Sequence, residues 1–138
     1  MKARVKWIEN RLMVGMSGSG HSVVMDGPEA LGGHNLGVRP MEMLLLGLGG
    51  CTQFDVLHIL GKGRHRVTRC EVEISAERAE TDPKVFTSIH VHFILAGPGL
   101  TEQAVARAVK LSAEKYCSAS LMLAQVAEIS HDFELAEA

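Results

Sequence analysis

Apolar and polar residues alternate most clearly in the second half of the chain. Between Val67 and Ala79, Cys70, Val72 and Ile74 fall on one side of an extended backbone and Glu71 and Glu73 on the other, the period-two signature of a half-buried strand. Thr81-Asp82-Pro83 then supplies a hairpin connection. Lys84 to Ala96 alternates again, with Val85, Ile89, Val91, Phe93 and Leu95 against Ser88, His90 and His92. At the N-terminus, residues 3–8, 11–16 and 21–25 read as a meander of three short strands punctuated by Glu9-Asn10 and Gly18-Ser19-Gly20.

Pro40 to Leu60 has a different pattern. Its polar residues Glu42, Thr52, Gln53, Asp55 and His58 scatter around a helical wheel, so no side is plainly wet and a buried core helix is expected. Pro40 suits the first helical position, and Gly61 with Gly63 supplies a stop. Glu42 and Asp55 end the uncharged run too early for a membrane span. Gly47, Gly49 and Gly50 each cost about 1 kcal/mol relative to alanine, so a neighbour should press close there. The Gly-rich stretch from Asp26 to Arg39 reads as a surface loop able to act as a lid. Thr101 is a candidate N-cap for a helix to about Tyr116 with Val105, Ala108 and Leu111 on one face. Ala119 to Leu123 forms a short apolar turn and Val126 to Leu135 a last strand. The order β-β-β-α-β-β-α-β defines an α+β fold in one domain, residues 1–138.

Composition narrows the picture. At 138 residues and 46% hydrophobic, with six aromatic residues, the chain has an aliphatic core, but a helix apolar all round needs more cover than so small a monomer offers. An obligate homodimer is expected. A net charge of -2 argues against nucleic acid or an anionic membrane as partner. MKARVKWIEN lacks the apolar run of a signal peptide, which points to the cytoplasm. The three cysteines make neither a disulfide framework nor a zinc pattern, so they are thiols first.

RPMEMLLLGLGGC, with its proline eleven residues before Cys51 and the Gly-Gly approach to it, and KYCSAS around Cys117 together resemble the OsmC/Ohr family, in its YhfA-like branch. The resemblance covers essentially the whole chain. It implies an intertwined homodimer with buried central helices and a thiol peroxidase acting on organic hydroperoxides in oxidative stress defence. Cys51 would be the peroxidatic thiolate, and Cys117 would resolve its sulfenic acid as a disulfide that a thiol reductant reopens, without metal or cofactor. Met41 stands where the family's peroxidases carry a glutamate ten residues before the first cysteine. Glu42, nine residues before it, falls on the opposite side of a straight helix. Arg11 is the candidate for the arginine that would hold the thiolate. Asp55 lies one turn beyond Cys51 on the same face, where a carboxylate opposes the thiolate unless a cation such as His58 offsets it.

Other residues have plainer readings. Cys70, among Val72 and Ile74, reads as a core thiol. His90 and His92 begin no complete metal site and read as solvated strand histidines. Lys62, Arg64, His65, Arg66 and Arg69 read as a solvated turn. His21, His34 and His131 have no triad or metal spacing, and Ser118 has no nearby histidine, so hydrolase chemistry carries little weight. Met41 and Asp55 favour an alternative of another class: a non-catalytic module that keeps the fold and binds a small apolar ligand.

Overall fold

A computed structural model describes residues 1–137, in two compact units, Met1–Leu46 and Gly47 onward. In the first, β1 (Ala3–Glu9), β2 (Leu12–Ser17) and β3 (Ser22–Met25) form the expected antiparallel meander. Asn10 makes the first turn with φ 48°, a left-handed conformation that asparagine tolerates, and its carbonyl accepts the Trp7 indole N–H at 3.0 Å.

The segment after β3 is the expected surface loop, held at its start by a buried carboxylate. Asp26 is 1% exposed, and its carboxylate accepts backbone N–H groups from Gly27 at 2.7 Å and from His34 and Leu36 at 3.1 Å. Burial works to raise the Asp26 pKa, but the N–H donors of Leu36, Gly27 and His34 outweigh it and leave the pKa below the ordinary 3.8. A Cβ at Gly33 would lie 2.0 Å from the Gly27 carbonyl oxygen, so only glycine permits this approach. A short 3-10 turn, Glu29–Leu31, and a bridge between Met25 and Val38 complete a pinned loop.

α1 (Pro40–Lys62) begins in the first unit and runs into the second. Glu42 reaches back to accept the Arg39 N–H at 2.7 Å, half of a capping box. The helix runs two residues beyond Leu60, through Gly61, and ends where Arg64 takes φ 61°. The N–H groups of Arg64 and His65 then close on the carbonyls of Gly61 and Leu60, at 2.9 and 3.0 Å, in a Schellman pattern with arginine in the glycine role.

The expectation of a helix buried on every side fails within one chain. Only Leu48, Gly49, Thr52, Val56 and Leu60 are buried, while Leu44, Leu46, Phe54 and Leu57 are exposed, Phe54 by 74%. α1 is long and apolar enough to cross a membrane by length and composition, with 28% of its most apolar stretch buried. The close neighbour expected at the glycines exists at one of them: a Cβ on Gly49 would meet Ile74 Cδ1 at 3.0 Å, whereas Gly47 and Gly50 have nothing within 4 Å.

The second unit is built on a sheet of β4 (Arg69–Arg78), β5 (Phe86–Ala96) and β6 (Glu128–Leu135), with β5 in the centre. β4 pairs antiparallel to β5, and β6 parallel. A parallel partner needs a long crossover, which α2 (Glu102–Leu111) and α3 (Ser118–Leu123) provide. Ile89, Val91, Phe93 and Leu95 are at most 1% exposed on one face of β5, each contributing about 1.5–3 kcal/mol by burial. A register shift between Glu77 and Arg78 puts Phe86 inside and leaves Val85 38% exposed, against the simple alternation. On α2, Thr101 caps the N-terminus by accepting the Ala104 N–H at 3.2 Å, and Val105, Ala108 and Val109 are buried.

Candidate active site

α1 carries half-buried Cys51 next to buried Thr52, with half-buried Asp55 one turn beyond Cys51. The facing wall comes from the end of the second helix. There the expected run to Tyr116 is present, but its last turn, Ser112–Tyr116, is a π turn closed by the Cys117 N–H on the Ser112 carbonyl at 2.8 Å. Such wider turns re-aim side chains and recur at functional sites. Here Ser112 is fully buried, its hydroxyl 2.9 Å from Thr52 Oγ1 and donating to Asp55 Oδ2 at 3.3 Å. The two helices are thus tied together beside Cys51.

Cys117 follows the π turn in extended conformation and caps α3, its Sγ accepting the Ser120 N–H at 3.4 Å. One ligand-capable atom each from Cys51, Asp55 and Cys117 lies within 4.8 Å of the others. The sulfurs are thus a small side-chain movement from bonding distance. Cys51 is half-buried and Cys117 fully buried, both as free thiols. Burial pushes the Cys117 thiol up, as does Cys51 beside it, and the Ser120 hydrogen bonds only partly offset this. The position ahead of a helical turn, expected to favour a Cys117 thiolate, is outweighed by lost hydration.

Asp55 also lines a cleft of about 470 Å³ with His58, Ile59, Lys62, Arg107 and Tyr116, so one carboxylate faces both the sulfur pair and an open, cation-bearing hollow. Cys70 sits on β4, its carbonyl accepting from Gln53 at 2.6 Å and its thiol pushed up chiefly by burial. In the first unit, Glu42 is engaged at the α1 N-terminus, and Arg11 donates Nε–H to the Leu31 carbonyl at 2.9 Å. Two site residues escape the sequence reading. Thr52 shows there only as a scattered polar residue, and Ser112 gives no signal, because its orientation depends on the π turn. As a donor set, Cys51, Asp55 and Cys117 also suit a thiophilic divalent ion.

A second cluster lies on the outer face of the sheet. His90 and His92 both contact Asp132 Oδ1, at 3.0 and 2.6 Å. The chain pattern alone does not reveal this cluster, because Asp132 lies 40 residues from His92.

A long apolar helix whose midpoint cysteine meets a second cysteine from the end of the crossover, with a three-stranded sheet of mixed pairing, defines a class. Residues 33–132 match the model of the OsmC-like protein family, and the chain belongs to that family. It is 49% identical to Protein YhfA of Escherichia coli K12 over 138 residues, the whole of both chains. A structural-genomics structure, 48% identical, superimposes with a TM-score of 0.90 over all of both chains. An organic hydroperoxide resistance protein OsmC from Legionella pneumophila shares the fold at 16% identity and a TM-score of 0.73, over 96% of this chain and 95% of its own.

Proposed function

We propose that the protein is a cytoplasmic, homodimeric thiol peroxidase that reduces organic hydroperoxides through Cys51 and Cys117. The observation that carries this is the meeting of the two sulfurs, within 4.8 Å, from elements 66 positions apart in the chain. Cys51, the more accessible, attacks the terminal peroxide oxygen. The O–O bond breaks, the alkoxide takes up a proton and leaves as the alcohol, and Cys51 becomes a sulfenic acid. Asp55, whose carboxylate lies within 4.8 Å of both sulfurs, takes the Cys117 proton as Cys117 attacks the sulfenic sulfur and passes it to the departing hydroxide, which leaves as water. A thiol reductant restores both thiols by exchange.

The hydroperoxide resistance named for the Legionella relative supports the substrate class. The exposed Leu44, Leu46, Phe54 and Leu57 support the homodimer, in which a second α1 would cover them. Met41 in the glutamate position and Asp55 beside the thiols favour the alternative of a non-catalytic module holding a small apolar ligand. Thiol counting decides. Reduced protein, treated with chelator and given one equivalent of organic hydroperoxide, should lose two of its three thiols per chain and release the alcohol. Three surviving thiols would leave the binding module in its place.

A further inference from the structure

We infer that the outer face of the sheet carries a divalent transition-metal site made by His90, His92 and Asp132. The strands build it by register. Period-two alternation puts His90 and His92 on the same side of β5, away from buried Ile89, Val91 and Phe93. Parallel pairing sets Ser130 of β6 opposite His90 and Asp132 opposite His92, and antiparallel pairing sets Glu73 of β4 on the other flank of His92.

The geometry suits a small ion. His90 Nε2 and His92 Nδ1 lie 3.0 and 2.6 Å from the same oxygen, Asp132 Oδ1, and one ligand atom from each of the three residues lies within 4.8 Å of the others. Around a tetrahedral Zn²⁺ with bonds of about 2.0–2.1 Å, ligand atoms stand roughly 3.3 Å apart, so modest side-chain rotation converts the cluster into a coordination shell.

The outer partners match as well. Histidine ligands usually give their second ring nitrogen to an acceptor that fixes the tautomer. His90 Nδ1 lies 2.7 Å from Ser130 Oγ, and His92 Nε2 lies 4.0 Å from Glu134 Oε2. His90 therefore has a hydrogen-bond partner behind the nitrogen that faces Asp132, and His92 has a carboxylate nearby but outside hydrogen-bond distance. Two imidazoles and a carboxylate form a borderline donor set that favours Zn²⁺ and its late first-row neighbours over Mg²⁺ or Ca²⁺. Water, or Glu73 across the strand, completes four-coordination. The ion would clip β5 to β6, the one parallel pairing in this sheet, and would sit on the opposite face from the inward-packing residues.

The rival donor set is Cys51, Asp55 and Cys117, so binding is measured in a Cys51→Ser/Cys117→Ser background. Calorimetric titration with Zn²⁺ alone should give one site per chain in that background, and Co²⁺ should give d–d absorbance without a thiolate charge-transfer band. His92→Ala or Asp132→Ala should weaken Zn²⁺ binding at least tenfold, and Ser130→Ala by a smaller factor. Circular dichroism checks that each variant is folded. As an independent readout in the unmutated sheet, Zn²⁺ should shift the His90 and His92 ring resonances and leave His21 unmoved. Loss of Zn²⁺ binding on removing the two cysteines, or full binding by folded His92→Ala and Asp132→Ala, would overturn the proposal.

Discussion

Ser112→Ala isolates the contact that holds the two halves of the dithiol site. It removes the hydroxyl 2.9 Å from Thr52 Oγ1, where both residues are fully buried. Thr52 would be left with a buried, unsatisfied hydroxyl, which costs about 1–3 kcal/mol. Thr52→Val should cost less, because the Ser112 hydroxyl keeps Asp55 Oδ2 as an acceptor at 3.3 Å. The double variant removes both partners and fills the space with a methyl group, so it should fall short of the sum by about 1 kcal/mol. Urea denaturation of the four proteins measures this coupling, with m-values checked for constancy. Because the same hydroxyl ties α1 to the π turn, Ser112→Ala should also slow disulfide closure between Cys51 and Cys117 after peroxide treatment. Strict additivity, with unchanged closure kinetics, would refute the claim that this pair positions the site.

Other outcomes follow from separate parts of the molecule. Cys70→Ser should leave peroxide consumption largely intact, measured as alcohol released per minute, since Cys70 belongs to the packed face of β4. The lowered pKa of Asp26 stabilises the fold above its unfolded value of 3.8, and this contribution is lost as pH falls through its lower folded value. Asp26→Asn should therefore lower the neutral-pH Tm and flatten the acid limb of a stability-pH profile. Sedimentation equilibrium should give twice the 14.9 kDa chain mass at micromolar concentration, and Phe54→Lys should shift the species toward monomer.

The residues make much of the fold legible because each element has its own local signal. Alternation marks β4 and β5, Thr101 marks the start of α2, and the apolar run from Pro40 marks α1. The pairing of β6 parallel to β5 is not local, since it follows from a crossover path and not from alternation. The ties within the Asp26–Arg39 surface loop are likewise not local: glycines suggest freedom, while the buried Asp26 carboxylate gathers three backbone donors from residues up to ten positions away. At the candidate site, the cysteines stand out through their motifs, but Ser112 depends on a π turn that spacing does not reveal. The His90, His92 and Asp132 cluster likewise exists only once two strands are in register.

The central claim is that Cys51 and Cys117 form a disulfide during turnover, and peptide mapping tests it most directly. Wild type and Cys117→Ser are each given one equivalent of cumene hydroperoxide, quenched with an alkylating agent, digested and examined by mass spectrometry. Wild type should yield a peptide linking Cys51 to Cys117 with Cys70 alkylated, and Cys117→Ser should accumulate sulfenic or sulfinic acid at Cys51. Alkylated, unoxidised Cys51 and Cys117 in both proteins would contradict the account.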